Sequence, residues 1–431
     1  MRKALLAVSV ASLLCSAQAF AQDDIEALKA QIQQLQEQMS KLQAKLVELE
    51  SQKGVGVKSV SGLKSGIKVY GRIKFDAIYD THNMGADQFI KTLPKGDRDD
   101  RTTFNMKDTR VGLIINGPQA GGWKVTGRIE GDFYGASGDN GGFRIRLSYI
   151  NLNNGQGTNI RIGQDYVPIA SQMASTLDFL SMASSGNLWD RVPQITVTQT
   201  FDGGFGILGT VYKSSASTDG VKMRMPWVGA KVFYKGDVFG TGKPVYLALG
   251  GAYRRGYQDI VEEKTNYVCN CTSGTVDSQT QIVAQGHDHV DDYVVAIEWN
   301  VPFNLYFPMA VKGEAYVGQG LDKRDYLVFS KPHYLDNNSV EELQTWGGFV
   351  QLTVKPTAKV ALNLGTGMDN PDNDDADKAG TYEKNWRAFG NVIYKLAPNV
   401  SLGAEIDHQE TLYKGDVEHG NRLMVSAIYN W

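Results

Sequence analysis

Past residue 17 the 431-residue chain has no apolar run near the roughly 20 residues that a membrane helix needs. A helical span is thereby excluded from the mature protein. Proline is scarce, 12 in all, and every one falls where a loop, a turn or a strand end is expected, as a hydrogen-bonded sheet requires. There are three cysteines. Cys15 lies in the N-terminal leader, and Leu14 precedes it where a lipoprotein signal needs a small residue. Cys269 and Cys271 are one residue apart, so a strained local clip and a pair of free thiols both stay open. Neither arrangement suggests catalysis. Of the six histidines, only His408 falls on an expected strand, and no serine partner for it is evident. That argues against a barrel hydrolase. His287-Asp-His289-Val-Asp-Asp292 has metal-ligand residue types at close spacing but reads as a solvated external loop. No enzyme activity, catalytic residue, cofactor, metal site or nucleic-acid partner is expected.

What the chain does contain begins with Arg2 and Lys3, an apolar stretch from Ala4 to about Ala17, and two small-x-small sites, Ala17-Gln-Ala19 and Ala19-Phe-Ala21. That is a secretory signal peptide over residues 1–21, cut before Gln22 or Phe20. Over 22–53, Ile25, Leu28, Ile32, Leu35, Met39, Leu42, Leu46 and Leu49 alternate spacings of three and four. This a/d stripe is too narrow to serve a lone helix and predicts a coiled coil. Isoleucine at a with leucine at d leans towards two strands, but the e and g positions do not fix the number. Residues 54–66, with Val-Gly-Val and Ser-Gly pairs, read as a linker.

From 67 to 431 a period of two dominates. Glycine (47) and tyrosine (20) are abundant, and mean hydropathy is −0.30, as for a barrel with a wet lumen. In the first strand Ile67, Val69, Gly71, Ile73, Phe75, Ala77 and Tyr79 oppose Lys68, Tyr70, Arg72, Lys74 and Asp76. In the fourth, Phe143, Ile145, Leu147 and Tyr149 oppose Arg144, Arg146 and Ser148. Apolar outside and charged inside is the pattern of an all-β transmembrane barrel. Sixteen antiparallel strands are expected, beginning near residues 67, 103, 122, 143, 158, 193, 205, 226, 244, 291, 308, 343, 358, 385, 399 and 421. Short turns, among them Asn116-Gly-Pro, Asp202-Gly-Gly, Asn300-Val-Pro and Ala397-Pro-Asn, alternate with long loops such as 81–102, 164–192, 255–290 and 409–420. The alternation puts both chain ends in the periplasm of a bacterial outer membrane. Trp123, Trp299 and Trp431 fall at one rim, Trp346 and Trp386 at the other, as aromatic girdles. The last strand, Arg422 to Trp431, alternates to a terminal aromatic like the signal that outer-membrane assembly machinery reads.

A barrel of this size leaves an aqueous channel. By parity Arg72, Lys74, Arg110, Arg128, Arg144, Arg146 and Arg161 face the lumen from neighbouring strands. A one-signed wall of low dielectric enriches the opposite ion, and arginine grips carboxylate or phosphate through paired hydrogen bonds. Asp76, Asp108, Glu130 and Asp132 share that wall, so bracing is the competing reading. The loop from Gln164 to Val192 is too apolar to wave in water. Folded inward, it narrows the pore and sets Asp165, Asp178 or Asp190 across from the bases.

The order of leader, short coiled coil, Ser-Gly linker, Tyr70-Gly-Arg-Ile-Lys74, Arg161-Ile-Gly-Gln-Asp165 and Pro193-Gln-Ile195 resembles the DcaP-like porins. The resemblance implies a homotrimer of barrels in outer-membrane lipid, a periplasmic N-terminal helix, and passive uptake of small anions such as dicarboxylates. The phosphate-selective porin O and P family is similar in organisation, but no dense Arg-Lys ladder is seen here. A structural tether, with the coiled coil gripping peptidoglycan, is the alternative of another class.

Overall fold

The computed structural model describes residues 66–86, 89–96, 99–136, 141–213, 221–270, 275–336 and 339–431. The leader, the coiled coil and nearly all of the linker lie outside them. The strands are β1 (Ile67–Asp80), β2 in two pieces (Arg101–Asn105 and Arg110–Ala120), β3 (Trp123–Asp132), β4 (Arg144–Asn153) and β5 (Thr158–Tyr166). Then come β6 (Arg191–Thr200), β7 (Phe205–Tyr212), β8 (Lys222–Met223 and Trp227–Gly236), β9 (Val245–Asn270), β10 (Thr275–Asn304) and β11 (Pro308–Gln319). β12 (Gln344–Thr357), β13 (Val360–Pro371), β14 (Lys384–Ala397), β15 (Val400–Tyr413) and β16 (Asp416–Asn430) complete the sheet. It holds 18 segments, and joining the halves of β2 and of β8 leaves 16 strands. Each pairs antiparallel with the next, and β16 returns to β1 from Arg72↔Asn430 to Asp80↔Arg422. Closure leaves no unpaired edge, which the bilayer demands.

The side chains are sorted opposite to a soluble protein. Outward Ile73, Ile207, Ile297, Leu364 and Val425 are exposed along the wall, where lipid covers them. Inward Lys74, Asp76, Glu130, Arg146, Lys231, Glu298, Arg387, Glu405 and Arg422 are buried. At the seam Gly71 and Trp431 exchange two backbone hydrogen bonds of 3.1 Å. The Trp431 ring lies over Gly71, where a Cβ would stand 2.6 Å from it. Gly313 receives the Trp299 ring in the same way. Aromatics thus cover glycines that a larger residue would displace.

Several expected boundaries move. Asn116-Gly-Pro is a bulge inside β2, and the turn is Gly121-Gly122. Asn300-Val-Pro stays in β10, whose turn is Leu305 to Phe307. The expected loop 255–290 is a drawn-out hairpin, with β9 and β10 paired as far as Asn270↔Thr275. The expected loop 409–420 shrinks to Lys414-Gly415 between β15 and β16. In β4 a bulge opposite Glu130 and Gly131 shifts the alternation. Leu147 becomes buried, and Tyr149 turns to the lumen under the Arg161 guanidinium, 4.5 Å from its ring. The outward assignment of these two residues is therefore corrected.

Candidate functional site: the lumen and the loop that crosses it

Residues 167–190 join β5 to β6 and run across the lumen. The neck is pinned where Val167 N donates to Asp190 O at 2.9 Å. The loop then meets the far wall strand by strand. Glu298 on β10 accepts from Ser171 N, Ser171 Oγ (2.9 Å) and Gln172 N (2.8 Å). Gln351 on β12 accepts from Ser175 N at 2.6 Å. Glu405 on β15 accepts from Leu177 N at 2.6 Å and Asp178 N at 3.1 Å. Asp369 on β13 accepts from Gly186 N at 2.8 Å, and Glu314 on β11 from Leu188 N. From β1, Lys74 Nζ donates to Leu177 O at 2.8 Å. The acids of this wall are thus fasteners for a backbone with orphan N–H groups.

The tip is strained. Ser181, Met182 and Ser184 have φ of 49°, 71° and 61°, each a conformation that costs roughly 1–2 kcal/mol outside glycine. Asn187 Nδ2 on Ser181 O (2.5 Å), Trp189 Nε1 on Leu180 O (2.6 Å) and Ser184 Oγ on Leu327 O (2.6 Å) hold it there. Gly186, at φ 99°, passes so close to Gly348 O that a Cβ would overlap it.

The expected bases do gather on one wall, and each has a carboxylate. Arg72 and Arg110 (Nε to Oδ1, 3.0 Å) both meet Asp108. Lys74 stands 2.9 Å from Asp76 and 3.5 Å from Asp108. Arg128 bonds Glu130 at 3.0 Å and Tyr70 Oη at 2.7 Å. Arg144 forks onto Asp132 at 2.7 and 3.2 Å. Arg146 joins Glu130 at 3.0 Å, Asp132 at 2.8 Å and Tyr166 Oη at 3.0 Å. Arg161 pairs with Asp165. Seven cations share Asp76, Asp108, Glu130, Asp132 and Asp165, five carboxylates, so the wall keeps a surplus of two.

Of the three aspartates expected to face this wall from across the lumen, only Asp190 does so in part, sharing a cavity with one of its bases, Arg144. Asp165 pairs along its own strand with Arg161. Asp178 turns to the far wall and binds Arg387 on β14 at 2.9 Å, which also holds Asp407 at 2.6 Å. Asp190 lines an outer cavity. What the loop presents to the bases is Phe179, whose ring centre lies 5.1 Å from the guanidinium carbon of Arg146, 5.5 Å from Arg144, 5.7 Å from Arg191 and 5.9 Å from Arg110. Guanidinium groups are attracted to such a ring face.

On the long-loop side a cavity of about 610 Å³ is lined by Phe89, Lys91, Arg144, Phe179, Asp190 and Arg191, among others. On the short-turn side a cavity of about 430 Å³ is lined by Arg161, Asp165, Ser171, Trp189 and Lys231, among others. Burial pushes the Asp190 carboxyl up to about 6, against the pull of Arg191. Burial and the nearby Lys323 lower the Lys91 ammonium. Sequence reasoning missed Arg191, Lys91 and Phe179. Arg191 was lost because the strand was started at Pro193, two residues late.

The metal-like stretch is not a loop. His287 to Asp292 lies in β10, and its carboxylates are engaged. Asp288 takes Ser339 Oγ at 2.9 Å, Asp291 takes Arg255 at 2.7 Å, and Asp292 takes Arg254 at 2.7 Å and His333 at 2.8 Å. Among the described residues no group of three metal-ligand side chains converges.

A closed 16-stranded antiparallel barrel, lined with charge and crossed by an inserted loop, is the fold of outer-membrane porins. Residues 12–203 match the sequence model of the DcaP outer membrane protein family. The outer membrane channel DcaP of Acinetobacter baumannii superimposes with a TM-score of 0.69 at 24% identity, over 87% of this chain and 99% of that one. Over residues 12–203 the chain is similar to the DcaP family, and its barrel shares that channel's fold. An anion-selective porin from Comamonas acidovorans has a TM-score of 0.55 at 14% identity, covering 85% of this chain and all of that one (100%). OmpT of Vibrio cholerae has a TM-score of 0.52 at 15% identity, covering 87% and 100%. A search of curated proteins found no match.

Proposed function

We propose that this barrel is a passive diffusion channel selective for small anions, dicarboxylates among them. The observation that carries the reading is the cationic surplus on β1–β5, gathered beside the crossing loop. There Arg72, Lys74, Arg110, Arg128, Arg144, Arg146 and Arg161 outnumber their carboxylates. Their ion pairs brace the wall as well, and the two roles coexist. A guanidinium that shares a carboxylate with a second base keeps donors for a passing anion. A porin of the same fold, that of Comamonas acidovorans, is described as anion-selective.

The working unit is proposed to be a homotrimer, with residues 22–53 joining the copies in the periplasm through their a/d stripe. The test of selectivity is the reversal potential of the purified channel in a KCl gradient at low salt. Chloride preference is expected, and Arg128→Ala or Arg146→Ala should reduce it. Cation preference in the wild type would leave the arginines as wall braces alone.

A further inference from the structure

The outer cavity is bordered by a guanidinium whose hydrogen-bond donors its surroundings do not satisfy. Arg191 opens β6 directly after the crossing loop. Its side chain is 8% exposed, and Nε and Nη1 are enclosed with no hydrogen-bond partner. Asp132 stands 4.0 Å away and already takes Arg144 at 2.7 Å and Arg146 at 2.8 Å. Asp190, the preceding residue, accepts the Arg191 backbone N–H at 2.7 Å, so one of its oxygens is occupied there. The rings of Phe179 and Trp189 each lie 5.7 Å from the guanidinium carbon. They hold the flat group and keep water from it.

A buried cation whose nearest carboxylate is shared with two other arginines, and whose Nε and Nη1 donors stay open, is unfavourable. Arg144 and Arg146 make this one worse, since both carry the same sign close by. The favourable completion is an anion, and the room for it is the adjoining cavity of about 610 Å³, where Lys91 and Arg144 also stand and Asp190 is the sole lining carboxylate among the described residues. The surface that Arg191 does expose borders this cavity.

The geometry points to Arg191 as an oxyanion-binding residue of the outer vestibule. It holds one carboxylate of a permeating solute, with Lys91 as a second cation nearby, before that solute meets Phe179 and the crossing loop. This rests on the anion-channel reading and adds where the solute is first held. The wall bases have committed donors to carboxylates, whereas Arg191 keeps its own for a ligand. Guanidinium offers planar paired donors that an ammonium lacks, so lysine cannot replace it.

The test measures block of chloride current in planar bilayers by butyrate, and separately by inorganic phosphate, added on the long-loop side. Wild type, Arg191→Lys and Arg191→Gln are compared. A saturable butyrate block is expected in the wild type. Both variants should raise the half-blocking concentration about tenfold or more, with the KCl reversal potential nearly unchanged in Arg191→Lys. If Arg191→Gln fails to fold, Arg191→Lys decides, because it keeps charge and stem. Phosphate block lost in the same variants also supports the site and widens it to oxyanions in general. Phosphate block without butyrate block overturns the carboxylate assignment. Butyrate block unchanged in Arg191→Lys overturns the inference while leaving the anion channel standing. Cation preference in the wild type removes the channel reading itself.

Discussion

Glu405→Gln should loosen the crossing loop without opening the barrel. Glu405 accepts two loop N–H groups, from Leu177 at 2.6 Å and Asp178 at 3.1 Å, and the Asn391 amide at 2.8 Å. A hydrogen bond to a charged group contributes about 1.5–3 kcal/mol, and a neutral one about 0.5–1.5 kcal/mol. Glutamine is the same size but has one acceptor oxygen, so one loop N–H then faces an NH₂ group. Two charged bonds give way to one neutral bond, a loss of about 2–5 kcal/mol. At 1.4 kcal/mol per tenfold, the detached state of this stretch rises about thirtyfold or more. The wall is spared, because the β14–β15 and β15–β16 ladders do not use the side chain. Arg387 keeps Asp178 and Asp407. Single-channel recording should show excursions to higher conductance, and hydrogen exchange should quicken at the Leu177 and Asp178 amides but not in the strands. Wild-type exchange at both amides, together with wild-type current noise, would refute the fastening role.

Deleting residues 22–53 should lower the oligomer size in detergent, read by light scattering, while the barrel stays folded. A full-length protein that is monomeric at every load contradicts this. Removing Trp431 takes away two hydrogen bonds to Gly71 and the ring that covers it. Folded yield in the outer membrane should fall, while channels that do assemble should conduct normally. An unchanged yield rejects the seam argument. The Asp190 carboxyl, pushed up to about 6 by burial, is charged above that pH and neutral below it. Anion preference should therefore increase as pH drops from about 7.5 to about 5, and Asp190→Asn should flatten the change. A preference that stays flat or weakens in the wild type is the refuting result.

Strand positions were legible because lipid imposes strict alternation wherever it touches the wall. Expected starts at 158, 205 and 308 coincide with Thr158, Phe205 and Pro308. Legibility ended where lipid ends. Beyond the rim of β9 and β10 water meets both faces, so nothing enforces an apolar stripe, and a long hairpin reads as a loop. The same holds for the polar ends of β15 and β16. Asn116-Gly-Pro misled because turn-forming residues also form bulges. The bulge in β4 inserts a single residue, which leaves composition intact and reverses every face after it. Parity gave the lumenal side of Arg72 and Arg146 and the four carboxylates that share their wall, but not which pairs with which. Asp108 serves Arg72, Lys74 and Arg110 together from the break between the two halves of β2, and such a break is not written in alternation. The crossing loop was legible from its apolar residues, yet not the carboxylates that fasten it.

Dense pairing does not cancel the wall's selectivity, and the reason lies in how pairs and surplus charges act at a distance. Seen from the passage, a close pair such as Arg144 with Asp132 at 2.7 Å is a dipole whose effect fades quickly. A surplus charge acts as a monopole. In water at about 6 Å it is worth about 0.7 kcal/mol to a passing anion. The wall's surplus of two, with Arg191 offset by Asp190, then gives about 1.4 kcal/mol, or roughly tenfold enrichment before screening. The far wall does not offset this fully. Glu298, Glu314, Asp369, Glu405 and Asp407 are buried to within 1%, where the crossing loop covers the first four and Arg387 neutralises the last. The loop therefore has an electrostatic consequence beyond narrowing the lumen. It draws the negative wall behind protein and leaves the positive one facing Phe179 and the cavities. Such a field should fade as the Debye length shrinks from about 10 Å at 0.1 M salt to about 3 Å at 1 M. Selectivity that persists at 1 M would instead point to direct grip at Arg191.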